Sequence, residues 1–319
     1  MKEVENLVLS VDMITYKHEN YIAEAIEGVL MQETNFEFDL IIADDCSPDR
    51  TQEIVEEIIK VHPKGYRIKY FRHEKNIGMD ANARFSVGNC KGKYFAMCEG
   101  DDYWTDPNKL QKQVDFLEEN NDYALVFTDL DFYYQTSGVF KRSIFQKKIK
   151  PLYYSFEEHL VHAGFLAPCT WLCRKEFVPT FTKKYTDGTF PWLLDVLANS
   201  NIKFFNDTTA VYRILDESAS HSGSIEKRYN FAKGVFEIQK EYLEKYNQPI
   251  ELRNDVYRKA YAKLLPSAIV LGYDSFIVEA QLFFGQNQLF LKEKCLYQLS
   301  FFKNSKHLFK ILYRLKGKK

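Results

Sequence analysis

The sequence predicts an α/β protein with a mainly parallel central sheet, followed by a C-terminal helical region. As far as Asp129, short apolar runs alternate with helical patterns, the order that builds a parallel sheet covered by helices on both faces. From about Ile225 to the end of the 319 residues, helical patterning dominates. No repeat or clear linker separates the two parts, and we place the division between residues 1–222 and 223–319.

The elements of the first part follow from its periodicity. Short apolar runs bounded by turn-forming residues predict strands at Leu7–Ile14, Phe38–Ala43, Ile68–Phe71, Tyr94–Cys98 and Ala124–Phe127. Apolar residues at helical spacing predict helices at Tyr21–Met31, around Ile54–Ile59, at Ala81–Val87 and at Leu110–Leu117. The second of these helices has Asp49 or Thr51 as its N-cap.

The pattern is looser after Asp129. Aromatic segments at Asp131–Tyr134 and Gly138–Phe145 predict strands of a smaller sheet. Phe190–Leu197 predicts a helix, and Ile202–Ile214 predicts a pair of strands. The second half of the chain is therefore predicted in less detail than the first.

Composition excludes several classes of protein. Hydrophobic residues make up 45% and charged residues 27%, which excludes a disordered or fibrous chain. No apolar stretch is long enough for a transmembrane helix, and the N-terminal segment is too acidic for a secretory signal. Six cysteines without a framework spacing predict reduced thiols. These observations together predict a cytoplasmic protein.

The net charge of −1 conceals a basic tail on an acidic body. Residues 292–319 carry nine Lys or Arg and one acidic residue, whereas residues 1–291 carry 34 basic and 43 acidic residues. In 299–319, aromatic and leucine side chains interleave with lysines, which predicts a basic amphipathic helix. Two interpretations stay open: peripheral contact with the anionic inner face of the cell membrane, or docking on the acidic body. Nucleic acid is not expected as a partner, since the body is acidic and has no base-reading module.

Polar residues follow three of the predicted strands. They are Thr15-Tyr16-Lys17-His18-Glu19, Asp44-Asp45 and Glu99-Gly100-Asp101-Asp102. In parallel α/β sheets, ligands bind at the carboxyl ends of the strands where the strand order reverses. Three such clusters are better explained by one shared site than by three unrelated turns.

The acidic clusters predict a nucleotide site that uses a metal ion. Mg²⁺ and Mn²⁺ prefer oxygen ligands, are held by one or two carboxylates and leave positions for substrate phosphates, which suits Glu99, Asp101 and Asp102. One carboxylate of Asp44-Asp45 can accept a hydrogen bond from a base or a ribose, while the other caps the next helix. Neither Gly-x-Gly-x-x-Gly nor a P-loop motif is present, so dinucleotide and P-loop chemistry are unsupported.

Residues 7–117 resemble the family 2 glycosyltransferases of the GT-A fold, including those that assemble bacterial polysaccharides and glycans. The resemblance rests on five segments in family order: Val8–Val11 with Tyr16, Ile42–Ser47, Asn76–Arg84, Gly92–Trp104 and Asp106–Gln113. It implies inverting transfer of a sugar from a nucleotide-diphosphate sugar to a hydroxyl of a glycan or lipid-linked glycan. It also implies Mn²⁺ or Mg²⁺ as cofactor.

The resemblance implies a role for each candidate residue. It assigns nucleotide-sugar binding to Thr15, Tyr16, Glu19, Asp44, Asp45, Arg84 and Asp101. It assigns metal binding to Asp102, Asp101, Glu99 and His221. Asp102 is expected to contact the metal directly and Glu99 through water, and His221 replaces the family's usual histidine, where this chain has Leu215.

The catalytic base is not settled by the resemblance, because the family's usual acid is Thr189 in this chain. A threonine does not act as a base near neutral pH. The nearby carboxylates are Asp187, which we prefer, and Asp195. Two alternatives remain: a catalytically degenerate homologue that serves as a partner subunit, and a nucleotidyltransferase, although the loop after the first strand lacks the glycines expected of the latter.

Overall fold

The strands of the computed structural model form one sheet of nine strands. The structure describes residues 7–180, 183–215, 224–302 and 305–316. Its strands are β1 (Leu7–Thr15), β2 (Glu37–Asp44), β3 (Ile68–Arg72), β4 (Tyr94–Met97), β5 (Tyr103–Trp104), β6 (Tyr123–Tyr134), β7 (Val139–Lys141), β8 (Leu172–Arg174) and β9 (Asn201–Ile214). The five strands predicted between Leu7 and Phe127 are all present.

Eleven α-helices lie within the described residues. They are α1 (Ile22–Leu30), α2 (Thr51–Val61), α3 (Met79–Asn89), α4 (Lys109–Glu119), α5 (Phe156–His162), α6 (Thr189–Asn199), α7 (Ile225–Lys245), α8 (Ile250–Leu271), α9 (Asp274–Gln286), α10 (Leu291–Leu299) and α11 (Ser305–Lys316). Within the described ranges, no helix is long and apolar enough to cross a membrane.

The strand order is β3-β2-β1-β4-β8-β6-β9-β5, with β7 attached to β6. The first four strands are parallel, as are β6 and β9, whereas β8 runs antiparallel to both β4 and β6. The mainly parallel sheet is therefore confirmed. Because β2 and β4 flank β1 on opposite sides, the order reverses at β1, which opens a crevice at the carboxyl ends of these strands.

The central strands are apolar because both faces of the sheet are covered. Leu9, Val11 and Met13 of β1 are fully buried, and so are residues 40–43 of β2. Parallel strands covered on both sides carry such continuous apolar runs rather than an alternating pattern. On α1, the apolar positions that set its helical pattern are buried as well.

Two predictions for the looser region are wrong. Residues 201–214 form the single strand β9, because β9 pairs with β6 in parallel from Asn201 to Ile214 with local register shifts. Residues 131–134 belong to β6, and β7 pairs with β6, so in the described part of the chain these strands join the main sheet. The consecutive aromatic residues 132–134 of β6 alternate between the two faces of the sheet, and they hide the polar–apolar alternation that would have marked one long strand.

The chain divides into two compact units. The first contains the described residues of Met1–Leu152, Phe165–Lys184 and Asp195–Ile214, and the second those of Tyr153–Gly164, Tyr185–Leu194 and Leu215–Lys319. The second unit consists of helices, in agreement with the helical pattern predicted for the C-terminal region.

Candidate active site

Backbone hydrogen bonds bring the three polar clusters together at the carboxyl ends of β1, β2 and β4. The Asp45 amide donates to the carbonyl oxygen of Thr15 at 3.0 Å, which joins the ends of β2 and β1. On the other side of β1, the Gly100 amide donates to the carbonyl oxygen of Ile14 at 3.0 Å. The structure thus places Thr15, Asp44-Asp45 and Glu99–Asp102 around one crevice.

Gly100 lies where no side chain fits. A Cβ atom at this position would lie 2.7 Å from His18 Nδ1 and 2.8 Å from Thr15 Oγ1. These two side chains are themselves within hydrogen-bond distance of each other, at 3.1 Å. Burial lowers the pKa of His18, against the opposing effect of the Asp101, Asp49 and Asp44 carboxylates. His18 therefore lies among the acidic groups of the crevice.

Asp44 is fully buried and holds its own turn. Its Oδ1 accepts from the amide of Ser47 at 2.8 Å and from the hydroxyl at 2.6 Å. Its Oδ2 accepts from the Tyr70 hydroxyl at 2.7 Å. Both oxygens are thus bonded within the protein. The expectation that one member of the pair caps the next helix is not met by Asp44, because α2 begins at Thr51 with Arg50 at its N-cap and without a side-chain cap.

Asp45 organises the loop that follows β3. Its carboxylate accepts from the backbone amides of Ile77 at 2.6 Å and Gly78 at 2.9 Å, and its carbonyl oxygen accepts from the Asn76 side chain at 3.2 Å. Gly78 has φ of +86°, a conformation that suits glycine, and it directly precedes α3. The family segment beginning at Asn76 is therefore fastened to the end of β2.

The remaining predicted nucleotide-sugar residues line the same end of the sheet or its margin. Glu19 Oε2 accepts from the Arg50 amide at 3.1 Å, which ties the loop after β1 to the start of α2. Tyr16 is exposed at the end of β1. Arg84 is exposed on α3, and its guanidinium has no hydrogen bond to the described residues.

Asp102 points into the protein. Its side chain is only 2% exposed, its Oδ1 accepts from the Arg213 amide at 2.9 Å, and it is hydrogen-bonded to the Cys169 thiol. Burial, reinforced by the Asp101 and Glu99 carboxylates, raises the pKa of Asp102 well above its usual range. Asp101 and Glu99, in contrast, are half-buried. In the acidic segment, the carboxylate of Asp102 is therefore buried in the protein, whereas those of Glu99 and Asp101 are partly exposed.

Arg213 completes the wall beside Asp102. Its guanidinium forms an ion pair with Glu24, donates to Gln135 at 3.2 Å and lies 4.8 Å from the ring centre of Tyr103. The rings of Tyr21 and Tyr133 lie 5.2 and 5.7 Å away. A planar guanidinium suits such an aromatic surround, because it stacks on rings and donates hydrogen bonds in its own plane.

The donor chemistry of this segment fits Mg²⁺ or Mn²⁺. Both ions take oxygen ligands and are commonly held by one or two carboxylates together with substrate phosphates. Glu99 and Asp101 are half-buried carboxylates of the crevice. Within residues 7–180, 183–215, 224–302 and 305–316, no group of three or more His, Cys, Asp or Glu side chains is arranged to hold an ion.

The predicted catalytic residues lie around α6. Asp187 Oδ1 accepts from the amide and hydroxyl of Thr189, at 2.9 and 2.7 Å, and from the Phe190 amide, so it caps this helix. Asp195 is half-buried within the helix. Asp187 belongs to the second unit and Asp195 to the first. The predicted metal ligand His221 lies outside the described residues.

Sequence reasoning missed several buried polar residues. Asp12, in the middle of β1, is 2% exposed and accepts from the Ser86 hydroxyl, and burial raises its pKa to about 7. Lys109 is fully buried, bonded to Gln113 at 2.8 Å, and burial lowers its pKa to about 7. Asp12 could have been noticed in the sequence, because it is a charged residue inside the otherwise apolar run of β1. For Arg213, the signal was the segment Val211-Tyr212-Arg213, which resembles the family's closing motif.

The fold and the crevice define a class of protein. A parallel sheet whose order reverses at β1, with carboxylates at the adjoining strand ends, is the GT-A architecture of nucleotide-sugar-dependent transferases. The family model described as "Glycosyl transferase family 2" matches residues 10–180, and the chain belongs to that family. It therefore contains a family 2 glycosyltransferase domain, and the family predicted from the sequence is confirmed.

Curated relatives match part of the chain. A protein of Methanocaldococcus jannaschii named as an uncharacterized glycosyltransferase is 31% identical over 168 residues, which are 51% of this chain and 57% of that protein. A Mycobacterium tuberculosis protein is 39% identical over 127 residues, or 40% of this chain and 36% of its own length. The matched region thus spans about a third to just over half the length of these relatives.

Solved structures share the fold over most of the chain. Residues 1–349 of Staphylococcus aureus TarS, in complex with UDP-GlcNAc, align with a TM-score of 0.57 at 16% identity, over 92% of this chain and 90% of that one. The mannosyltransferase PcManGT of Pyrobaculum calidifontis, in complex with GDP-Man and Mn²⁺, aligns with a TM-score of 0.58 at 13% identity, over 98% and 89%. At these identities the likeness establishes the GT-A fold alone.

Proposed function

We propose that this glycosyltransferase inverts the anomeric centre, depends on Mn²⁺ or Mg²⁺, and transfers a sugar from a nucleotide-diphosphate sugar to a hydroxyl of a glycan or lipid-linked glycan. The observation that carries the proposal is the meeting of Asp45, Glu99 and Asp101 at the carboxyl ends of adjacent parallel strands. Sites for phosphorylated ligands belong at this reversal point of an α/β sheet. The two aligned structures contain UDP-GlcNAc and GDP-Man with Mn²⁺, which supports a donor of this kind.

Each carboxylate of the acidic segment has a separate task in this proposal. Asp101 and Glu99, which are half-buried, would hold the divalent cation, Glu99 through water. The cation supplies Lewis-acid stabilisation for the leaving diphosphate. Asp102 was expected to be the strongest direct ligand, but its burial and its bond to the Arg213 amide favour a positioning role.

The nucleotide would be held by the loops at the ends of β1 and β2. The Asp45 carboxylate lies against the two amides that fix the loop before α3, so it sets the position of this loop and of Arg84 beyond it. Tyr16 is exposed beside the same crevice and offers a ring for stacking on a base. Thr15 and Glu19 orient the connecting loop through His18 and Arg50.

The transfer step needs a base for the acceptor. In inverting transfer, the acceptor oxygen forms a bond to the anomeric carbon while the bond from that carbon to the diphosphate oxygen breaks, and the hydroxyl proton passes to a carboxylate. We propose Asp187 as this carboxylate and Asp195 as the alternative. Thr189 is not a candidate, because a neutral hydroxyl is too weak a base near neutral pH.

Donor binding provides the first test. A ligand that binds only the native state raises the melting temperature, by an amount set by its concentration and Kd. We expect UDP-, GDP- or dTDP-sugar with Mn²⁺ to raise the melting temperature of the full chain, and EDTA to remove most of the effect. No shift with any donor would contradict the proposed nucleotide site.

Turnover distinguishes this proposal from the degenerate homologue. The replacement of the usual acid by Thr189 is the observation that favours a homologue that binds a donor without transfer. Release of nucleoside diphosphate by the purified chain would support the transferase. A donor-dependent thermal shift with no release, in the presence of glycan acceptors, would support the degenerate partner subunit.

We also propose that residues 299–319 make a peripheral contact with the inner face of the cell membrane, which is one of the two interpretations of their basic amphipathic pattern. A lipid-linked acceptor would lie at that surface.

A further inference from the structure

The C-terminal helices leave many large apolar side chains exposed. They are Val278, Leu282, Phe290, Leu291, Phe301, Phe302, Leu308, Ile311 and Leu312, which we call the C-terminal apolar face. Single exposed apolar residues are common on protein surfaces, but a contiguous set marks a contact surface. Only part of this set belongs to the tail at 299–319, so the surface extends onto α9 and the start of α10.

Contacts among these helices bring α9, α10 and α11 next to one another. Gln281 of α9 donates to Ser300 Oγ at 2.9 Å, which brings the middle of α9 beside the end of α10. There the ring of Tyr297 packs against Phe301, with the centres 5.1 Å apart. The Ser305 amide then donates to the carbonyl oxygen of Phe302 at 3.0 Å, so α11 begins at the same place.

Two exposed apolar pairs stand at opposite ends of α10. Phe290 and Leu291 lie at its start, and Phe301 and Phe302 follow its end. A nine-residue helix is about 14 Å long. The two pairs are therefore separated by the length of this helix.

Helix α11 both packs on the protein and contributes to this face. Its Phe309 is 5% exposed and Ser305 is buried too, while the helix contacts α8. Leu308, Ile311 and Leu312 lie on the rest of its circumference and remain exposed. Helix α11 therefore docks on the protein with one side and leaves apolar side chains exposed on the rest. The two interpretations of the tail are compatible with each other.

The charge around the face is positive. Lys292, Lys294, Lys306 and Lys310 are exposed. Of the acidic side chains on α9 and α10, Glu293 is 8% exposed and pairs with Arg258 at 3.4 Å, Glu279 accepts from the Tyr261 hydroxyl at 2.6 Å, and Asp274 is exposed. Four exposed lysines on an apolar surface suit an anionic lipid surface.

We propose that the C-terminal apolar face binds an anionic bilayer, with both apolar pairs inserted at the interface and the lysines near lipid phosphates. A second copy of the chain fits this face poorly, because the same positive charge would meet itself. The inference rests on the proposed function in one respect, that membrane binding serves a lipid-linked acceptor. The binding itself requires neither donor nor acceptor.

Vesicle co-sedimentation of the full chain tests this proposal. We expect the chain to pellet with vesicles of phosphatidylcholine and phosphatidylglycerol, and far less with phosphatidylcholine alone. The pair Phe301→Ser and Phe302→Ser, and separately Lys306→Glu with Lys310→Glu, should each weaken binding about tenfold or more. The matched charge control is Lys60→Glu with Lys147→Glu, which changes two exposed lysines in the first unit and should bind like the wild type.

Further measurements distinguish a loss of lipid binding from unfolding and from self-association. Circular dichroism and the melting temperature establish that each variant is folded, and light scattering measures the oligomeric state. Wild-type pelleting by both double variants, or equal pelleting with the two lipids, would overturn the proposal. So would a dimer that the phenylalanine variant abolishes, since the face would then bind a second copy. Donor hydrolysis without lipid tests the proposed transferase separately, because the variants should release nucleoside diphosphate at the wild-type rate.

Discussion

The carboxylate of Asp102 accepts a 2.9 Å hydrogen bond from the backbone amide of Arg213. This bond ties the acidic segment after β4 to β9, the strand that carries Arg213 and lies far along the chain. The same carboxylate is bonded to the Cys169 thiol. Asp102 thus fixes the backbone on which Glu99 and Asp101 are carried, which is a different role from binding a metal.

Substitution of the two neighbouring aspartates separates these roles. In Asp102→Asn, the amide oxygen still accepts from the Arg213 amide, so activity should stay within about threefold of wild type. In Asp101→Asn, loss of a ligand charge should lower the rate about 100-fold and weaken Mn²⁺ activation. Nucleoside diphosphate release measured against Mn²⁺ concentration checks both. A greater loss in Asp102→Asn than in Asp101→Asn would restore Asp102 as the ligand.

Gly100 should tolerate no side chain. The Cβ of Gly100→Ala would clash with Thr15 and His18, so the unfolding free energy should fall by about 1–3 kcal/mol and donor affinity with it. Gly88→Ala is the matched control, because its Cβ meets nothing within 4 Å in α3, and it should be neutral or stabilise by about 0.5–1 kcal/mol. Urea unfolding measures both changes. Equal stability of the two variants would refute the close packing at Gly100.

Arg213 should not be replaceable by lysine. Lysine keeps the charge but lacks the planar guanidinium that bonds both Glu24 and Gln135 between aromatic rings. Arg213→Lys should therefore lower the free energy of unfolding by about 1–3 kcal/mol. Arg142→Lys offers a comparison, because Arg142 also pairs with a carboxylate, that of Asp131, but has a side chain that is mostly exposed. That change should cost less than about 1 kcal/mol. The prediction fails if the two variants melt at the same temperature.

Asp12 should impose a pH dependence on stability. Because burial raises its folded-state pKa to about 7, the folded state retains a proton that the unfolded state loses near pH 4. The unfolding free energy should therefore fall as pH rises from about 4 to 7, by up to about 1.4 kcal/mol per pH unit, and level off above. Asp12→Asn should remove this contribution, whereas Asp115→Asn, at an exposed site on α4, should keep it. Unfolding curves at several pH values check the difference, and parallel wild-type and Asp12→Asn profiles would contradict the shift.

The order of the first elements was predictable, because apolar runs and turn residues mark each parallel strand and helix between Leu7 and Phe127. The single strand β9 was not, because Asn201–Ile214 is recognisable as one strand only through its pairing with β6. β5 and β8 are too short to show periodicity. At the site, the predicted ends of the strands correctly indicated which carboxylates lie near one another. The inward direction of Asp102 depends on Arg213 and Cys169, which are distant in sequence, and the family resemblance does not specify it.

Donor cleavage by the purified full chain tests the central claim most directly. With Mn²⁺ and a UDP-, GDP- or dTDP-sugar, the wild-type chain and Asp115→Asn should release nucleoside diphosphate, while Asp101→Asn and wild type in EDTA should release about 100-fold less. Release by wild type that is unchanged by EDTA and by Asp101→Asn, or no release with any donor and acceptor, would contradict a metal-dependent sugar transferase centred on the ends of β1, β2 and β4.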